Sequence, residues 1–136
     1  MQKIILDTNV IVSSLIQKNY PYLIVEHCID GNAIICISNP IIQEYLEVLS
    51  RPKFSKFADF KTNADFFIAR LSEISEIYEP NEILKIIKDK PDNRLLELAQ
   101  ISKADFLITG NTNDFTMKIY NKTRIVTPKE YWEEFK

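Results

Sequence analysis

The stretch Lys3 to Val10, Lys-Ile-Ile-Leu-Asp-Thr-Asn-Val, constrains the fold more than any other part of the chain. Ile4, Ile5 and Leu6 form a continuous apolar run with β-branched side chains, which suits a strand covered on both faces of a sheet. The run stops on Asp7, and Val10, Ile11, Val12, Leu15 and Ile16 follow at the spacing of a buried helix, with Asp7, Thr8 and Asn9 as candidate caps. A strand that ends on an acid and passes directly into a helix is the unit of an open parallel α/β sheet, where ligands gather at the carboxyl ends of the strands. Asp7 is therefore a helix cap or a member of a site, depending on whether other carboxylates converge on it.

The alternation continues. Tyr22, Leu23, Val25, Cys28 and Ile29 continue a second helix that stops at Asp30-Gly31-Asn32, and Ala33 to Ser38 form a second apolar strand. Asn39 is then a candidate cap and Pro40 fits the first helical position, with Pro52 limiting the helix to about Ser50. Its apolar face is Ile41, Ile42, Tyr45, Leu46, Val48 and Leu49, and Glu44 falls at the edge of that face, as a flank residue or a site acid. Helical spacing recurs from Asp59 to about Ser75, and a brief strand is expected at Ile77-Tyr78. The charged run Lys85 to Asn93 leads into a helix with Leu95, Leu96, Leu98, Ala99 and Ile101. Asp92 lies in its first turn, where the helix dipole favours an ionised carboxylate. Asp105 to Thr109 is another buried strand, ending in a polar turn where Asn111 and Asp114 are turn formers or site residues. Arg124 to Thr127 is the last strand, and Pro128 opens a terminal helix. The expected architecture is α/β, a three-layer sandwich with a mostly parallel central sheet of about five strands flanked by helices, in one domain spanning residues 1–136.

Composition excludes several chemistries. The only glycines, Gly31 and Gly110, cannot build a phosphate-cradling loop. The single histidine, His27, cannot supply a paired-imidazole mechanism, and Cys28 and Cys36 read as packed, reduced thiols of a cytoplasmic protein. No apolar stretch is long enough to span a bilayer, so no membrane association is expected. With a net charge of −2, a polyanion would have to be held by local basic residues or by bound cations. The segment carrying Arg51, Lys53, Lys56 and Lys61 alternates these cations with Phe54 and Phe57. It suits either the backbone and stacked bases of RNA, or a solvated connection whose phenylalanines turn inward.

In a parallel sheet Asp7, the Ser38 to Glu44 segment and Asp114 share the carboxyl edge, and the helix of Asp92 can begin there. Two such charges about 5 Å apart repel by roughly 3 kcal/mol at an effective dielectric near 20, so a cluster must take up protons or hold a cation. Oxygen ligands without Cys or His favour Mg²⁺ or Mn²⁺.

Four segments, in order, carry a resemblance: Leu6-Asp7-Thr8-Asn9-Val10; Ser38-Asn39-Pro40 through Glu44-Tyr45-Leu46-Glu47-Val48-Leu49; Asp92-Asn93-Arg94-Leu95-Leu96-Glu97-Leu98-Ala99; and Thr109-Gly110-Asn111 through Asp114-Phe115. In these the chain resembles PIN-domain ribonucleases, in particular the PIN-family toxins of bacterial toxin–antitoxin pairs. The resemblance implies an acidic quartet, Asp7, Glu44, Asp92 and Asp114, that is both catalytic and metal-binding, supported by Thr8, Asn9, Ser38 and Asn111. It also implies Mg²⁺- or Mn²⁺-assisted hydrolysis of single-stranded RNA to a 5′-phosphate and a 3′-hydroxyl, a cognate antitoxin protein, and a homodimer or higher homo-oligomer. The chain departs from the family pattern in having Asn111 where many relatives place an acid after the glycine, and in offering only Asp89 and Asp92 around Pro91. The alternatives are a receiver-like or phosphatase-like phosphoryl-transfer domain, or a catalytically inactive RNA-binding module. The first usually wants a lysine after its fifth strand and the second Asp-x-Asp, whereas Asp7 is followed by Thr8-Asn9.

Overall fold

A computed structural model describes residues 1–136. The opening apolar run is β1 (Lys3–Leu6), and the chain passes through Asp7 into helix α1 (Thr8–Ile16). Helix α2 (Tyr20–Ile29), strand β2 (Ile34–Ser38) and helix α3 (Asn39–Leu49) follow. Beyond a short turn of helix at Pro52–Phe54 come α4 (Phe60–Ile74) and β3 (Ser75–Tyr78). A connection without regular structure leads to α5 (Lys90–Ser102), then come β4 (Phe106–Ile108), β5 (Ile119–Tyr120), β6 (Thr123–Val126) and α6 (Pro128–Glu130), and a wider helical turn over Tyr131–Phe135 ends the chain.

The strands form one sheet in the order β3-β2-β1-β4-β6-β5, parallel throughout except for β5 against β6. β1 is central, with Ile4, Ile5 and Leu6 all at 0% exposure, as a run without alternation requires. Its last residues pair Ile5 with Leu107 and Leu6 with Ile108, so Asp7 and Thr109 emerge side by side at the carboxyl edge. The sixth strand, β5, is a two-residue edge strand joined to β6 through Asn121-Lys122. Asn121 takes the left-handed backbone (φ 52°) that such tight connections need and that asparagine tolerates.

Two ties set the geometry of the functional edge. The fully buried Tyr45 donates its hydroxyl to the carbonyl of Leu6 (2.5 Å), which fastens α3 against the end of β1 and brings the neighbouring Glu44 to the sheet edge. On α5, Asn93 accepts from the amides of Ile86 and Ile87 (3.1 and 3.0 Å) and donates to the Ile87 carbonyl (2.7 Å). One turn on, Glu97 accepts from the Leu84 amide (2.8 Å) and from Arg94 (2.5 Å). These side chains satisfy backbone groups that no strand pairs, and so hold the connection that leads to Asp89 and Asp92.

Two local expectations are corrected. The residue at the capping position of α3 is Ser38, without a side-chain capping bond, and Asn39 and Pro40 occupy the first helical positions, because β2 runs to its last polar residue before the chain turns. Leu46 is 39% exposed instead of facing the core, since Tyr45 and Ile41 already direct the buried face of α3. Cys28 and Cys36 are free and buried, and burial pushes their thiols up to about 12 and about 11. No helix is long and apolar enough to cross a membrane.

Candidate active site

At the carboxyl edge, a cleft of about 220 Å³ is lined by Asp7, Thr8 and Asn9 from the β1–α1 junction, Glu44, Val48 and Arg51 from α3 and its end, Asp89, Asp92 and Leu95 from the start of α5, and Asn111 and Asp114 after β4. All four expected carboxylates thus face one space, with Asn9 and Asn111 exposed at its mouth. The acids come from four separate segments: Asp7 lies just beyond β1, Glu44 in the second turn of α3, Asp92 in the first turn of α5, and Asp114 on the short helical turn that follows β4.

The acids are held differently. Asp7, 9% exposed, accepts from the Thr109 hydroxyl (2.8 Å), which itself accepts from the Asn111 amide (3.0 Å). Asp7 occupies the capping position of α1 without making a side-chain capping bond, though the nearby Thr8 and Asn9 amides favour its charge. Burial outweighs these donors and moves its carboxyl above the usual range, with Asp114 adding to the rise. Glu44 is half-buried and takes a hydrogen bond from the Thr8 hydroxyl. Asp114 is exposed, on a short helical turn.

Asp92 has no such support. It is 9% exposed, its Oδ2 is buried without a hydrogen-bond partner, and its carboxyl is raised from 3.8 to about 6, first by burial and then by Asp89, Asp7, Asp114 and Glu44. An orphaned carboxylate oxygen among other acids is a donor left for a cation or a proton. The donor set is all oxygen, which suits Mg²⁺ or Mn²⁺. No three of these acids are gathered closely enough to form a ready ligand set as they stand.

Ser38 is buried at the end of β2 and does not line the cleft, because its place is at the amino end of α3 and not on the helix face that Glu44 shares. Of the basic residues, Arg51 reaches the cleft and pairs with Glu47 (2.8 Å), while Lys53, Lys56 and Lys61 lie outside it and are exposed. Phe54 and Phe57 turn inward onto a small apolar cluster of Val12, Phe60 and Ala64, and Phe54 stacks on Phe60 with ring centroids 4.9 Å apart. His27 packs edge-on against Trp132 and takes no part in the cleft. Sequence reasoning gave no role to Thr109 as the partner of Asp7, nor a place in the cleft to Asp89. The matched strand ends Leu6-Asp7 and Ile108-Thr109 are the signal that could have paired the first.

A parallel α/β sheet with oxygen donors converging at its carboxyl edge defines the class of fold. The chain belongs to the PIN domain family, whose profile matches residues 3–113, a span that includes Asp7, Glu44 and Asp92 and stops one residue short of Asp114. Members of that family are generally nucleases and generally depend on divalent metal. An uncharacterised protein of Methanocaldococcus jannaschii is 29% identical, over 98% of this chain and 91% of that one. Among solved structures, VapBC2 from Rickettsia felis bound to a DNA fragment from their promoter matches with a TM-score of 0.60 and 17% identity, over 93% of this chain and 98% of that one. That likeness is one of fold.

Proposed function

We propose that the chain is a Mg²⁺- or Mn²⁺-dependent endoribonuclease that hydrolyses phosphodiester bonds of single-stranded RNA, and that it is the toxin of a toxin–antitoxin pair. The observation that carries the catalytic reading is the buried, partnerless Oδ2 of Asp92 in a cleft shared with Asp7, Glu44 and Asp114. These four acids would hold the cation. When bound, it would supply charge neutralisation at the scissile phosphate and acidify water for attack. Thr109 fixes the rotamer of Asp7 and Thr8 that of Glu44, so two of the donors are oriented in advance. Asn9 and Asn111, exposed at the mouth, offer amide donors to a phosphate, and Arg51 is the only cationic side chain lining the cleft. No side chain of nucleophile type is needed, and the products would be a 5′-phosphate and a 3′-hydroxyl. The absence of lysine from the cleft lining speaks against a receiver-like site. The toxin role, with an antitoxin protein as partner, rests on the sequence resemblance and on the shared fold with VapBC2, and a homo-oligomer as the working form rests on the sequence resemblance alone.

Incubating the protein with single-stranded RNA in Mn²⁺ or Mg²⁺, and in EDTA, tests the reading. Cleavage with the ions, none with EDTA and a loss of at least about a hundredfold in Asp92→Asn are expected. Equal cleavage by parent and Asp92→Asn would remove the site from the account.

A further inference from the structure

On the other side of α3 from the acids lies a second cavity, of about 300 Å³, between α3 and α4. Glu44, Val48 and Arg51, spaced four and three residues apart, face the acidic cleft, whereas Leu46, Leu49 and Ser50 face this slot. Phe54, Phe60 and Ile68 complete its apolar lining. Arg51, just beyond the end of α3, lines both spaces and so stands on the border between the slot and the cleft.

We propose that this slot receives one base of the single-stranded RNA, next to the phosphate held over the acids. The inference rests on the nuclease reading above and assigns it a nucleotide-binding subsite. Its volume is at the small end of the roughly 300–1,000 Å³ typical of sites for small molecules, which suits a flat aromatic ring. Its mouth carries Arg51 and Lys61 against one acid, Asp65, and Lys53 and Lys56 project from the segment between α3 and α4. That charge complements a polyanion. The pairs Arg51–Glu47 (2.8 Å) and Lys61–Asp65 (3.0 Å) are exposed and therefore weak, so both cations are free to turn to phosphates on either side of the base. Of the segment's phenylalanines, Phe54 thus serves the RNA from inside the slot, with the lysines outside, while Phe57 packs on the small apolar cluster of Val12, Phe60 and Ala64.

Leu46 is the residue to change, because it lines the slot yet is exposed enough to vary without disturbing the core. In Leu46→Trp the indole would fill the slot. The probe is a short fluorescein-labelled single-stranded RNA, in Ca²⁺ in place of Mg²⁺, with an abasic site placed in turn at each position, and binding is read by anisotropy. For the parent, one abasic position is expected to weaken binding about tenfold, in line with the worth of a stacked base. Leu46→Trp should bind the intact RNA about tenfold more weakly and lose the abasic effect, since the two changes remove the same contact. Equal effects at every position, an abasic penalty that persists in Leu46→Trp, or RNA binding untouched by Leu46→Trp, as a protein-docking groove would give, each overturns the proposal. The nuclease reading fails separately: RNA bound with the expected position dependence but never cut in Mn²⁺ keeps the slot and removes the enzyme, whereas RNA cut without position dependence does the reverse.

Discussion

Asp7 and Asp92 are equally exposed, at 9%, and lie in the same cleft, but the chain surrounds them in different ways. Asp7 ends the central strand and receives the Thr109 hydroxyl from the strand beside it, so backbone pairing and side-chain bonding agree on its position. Asp92 begins a helix fed by an irregular connection, which is held in place by Asn93 and Glu97, while its own Oδ2 is left without a partner. The first carboxylate is built into the fold. The second is positioned at a cost in stability, which is the arrangement expected where a ligand is to supply the missing interaction.

The largest effect that would break this comparison is on catalysis. Asp92→Asn should lower metal-dependent RNA cleavage by at least about a hundredfold, the scale of losing one anchor of a charge-neutralising site. It should at the same time raise the stability of the cation-free protein by about 1–3 kcal/mol at neutral pH, because a carboxylate held at about 6 in the fold and near 3.8 when unfolded is destabilising while ionised. The pH dependence has a definite sign. Between these values the folded state holds a proton that the unfolded state has lost, so cation-free stability should rise as pH falls from neutrality through about 6 and level off below 3.8. Denaturant titrations of parent and variant check both points, and a clear loss of stability in Asp92→Asn would show that the side chain serves only the helix start.

Asn93→Ala should cost about 2–3 kcal/mol, since it strands the amides of Ile86 and Ile87, and should accelerate hydrogen exchange at those two amides. Unchanged exchange there would mean that the connection is held by other contacts. Thr109→Val should cost less, about 1–2 kcal/mol, by removing the donor to Asp7 and the acceptor for the Asn111 amide, with a loss of activity smaller than that of Asp92→Asn. If both variants were equally inactive, the distinction between the two carboxylates would lose its functional meaning. The smallest effect is expected at the exposed lysines. Changing Lys53 and Lys56 to Ala should weaken RNA binding a few-fold and flatten its salt dependence, while cleavage at saturating RNA stays nearly constant.

The same contrast explains what could be read from the sequence. Unbroken apolar runs such as Ile4-Ile5-Leu6 and Phe106-Leu107-Ile108 report strands covered on both faces, and a parallel sheet puts the residues after them on one edge. That sheet edge accounts for Asp7, while the choice of Glu44, Asp92 and Asp114 as its companions comes from the resemblance, and the four line one cleft. Bonds between a side chain and a distant backbone have no period, so the work of Asn93 and Glu97 on residues 84–87 left no trace in the pattern. β5 has two residues and no apolar run, and depends on the backbone of Asn121. Ser38 has a residue type suited to a site, but only the geometry of the turn into α3 decides that it is buried away from the cleft.

The partnerless oxygen of Asp92 is the centre of the functional reading, and the melting temperature as a function of Mn²⁺, at neutral pH and without RNA, tests it most directly. The parent protein should be stabilised progressively, by about 2.7 kcal/mol at a hundredfold excess over the dissociation constant, and Asp92→Asn should show little or no gain over the same range. A parent that melts at one temperature with and without Mn²⁺, or an Asp92→Asn protein that gains as much as the parent, would contradict it.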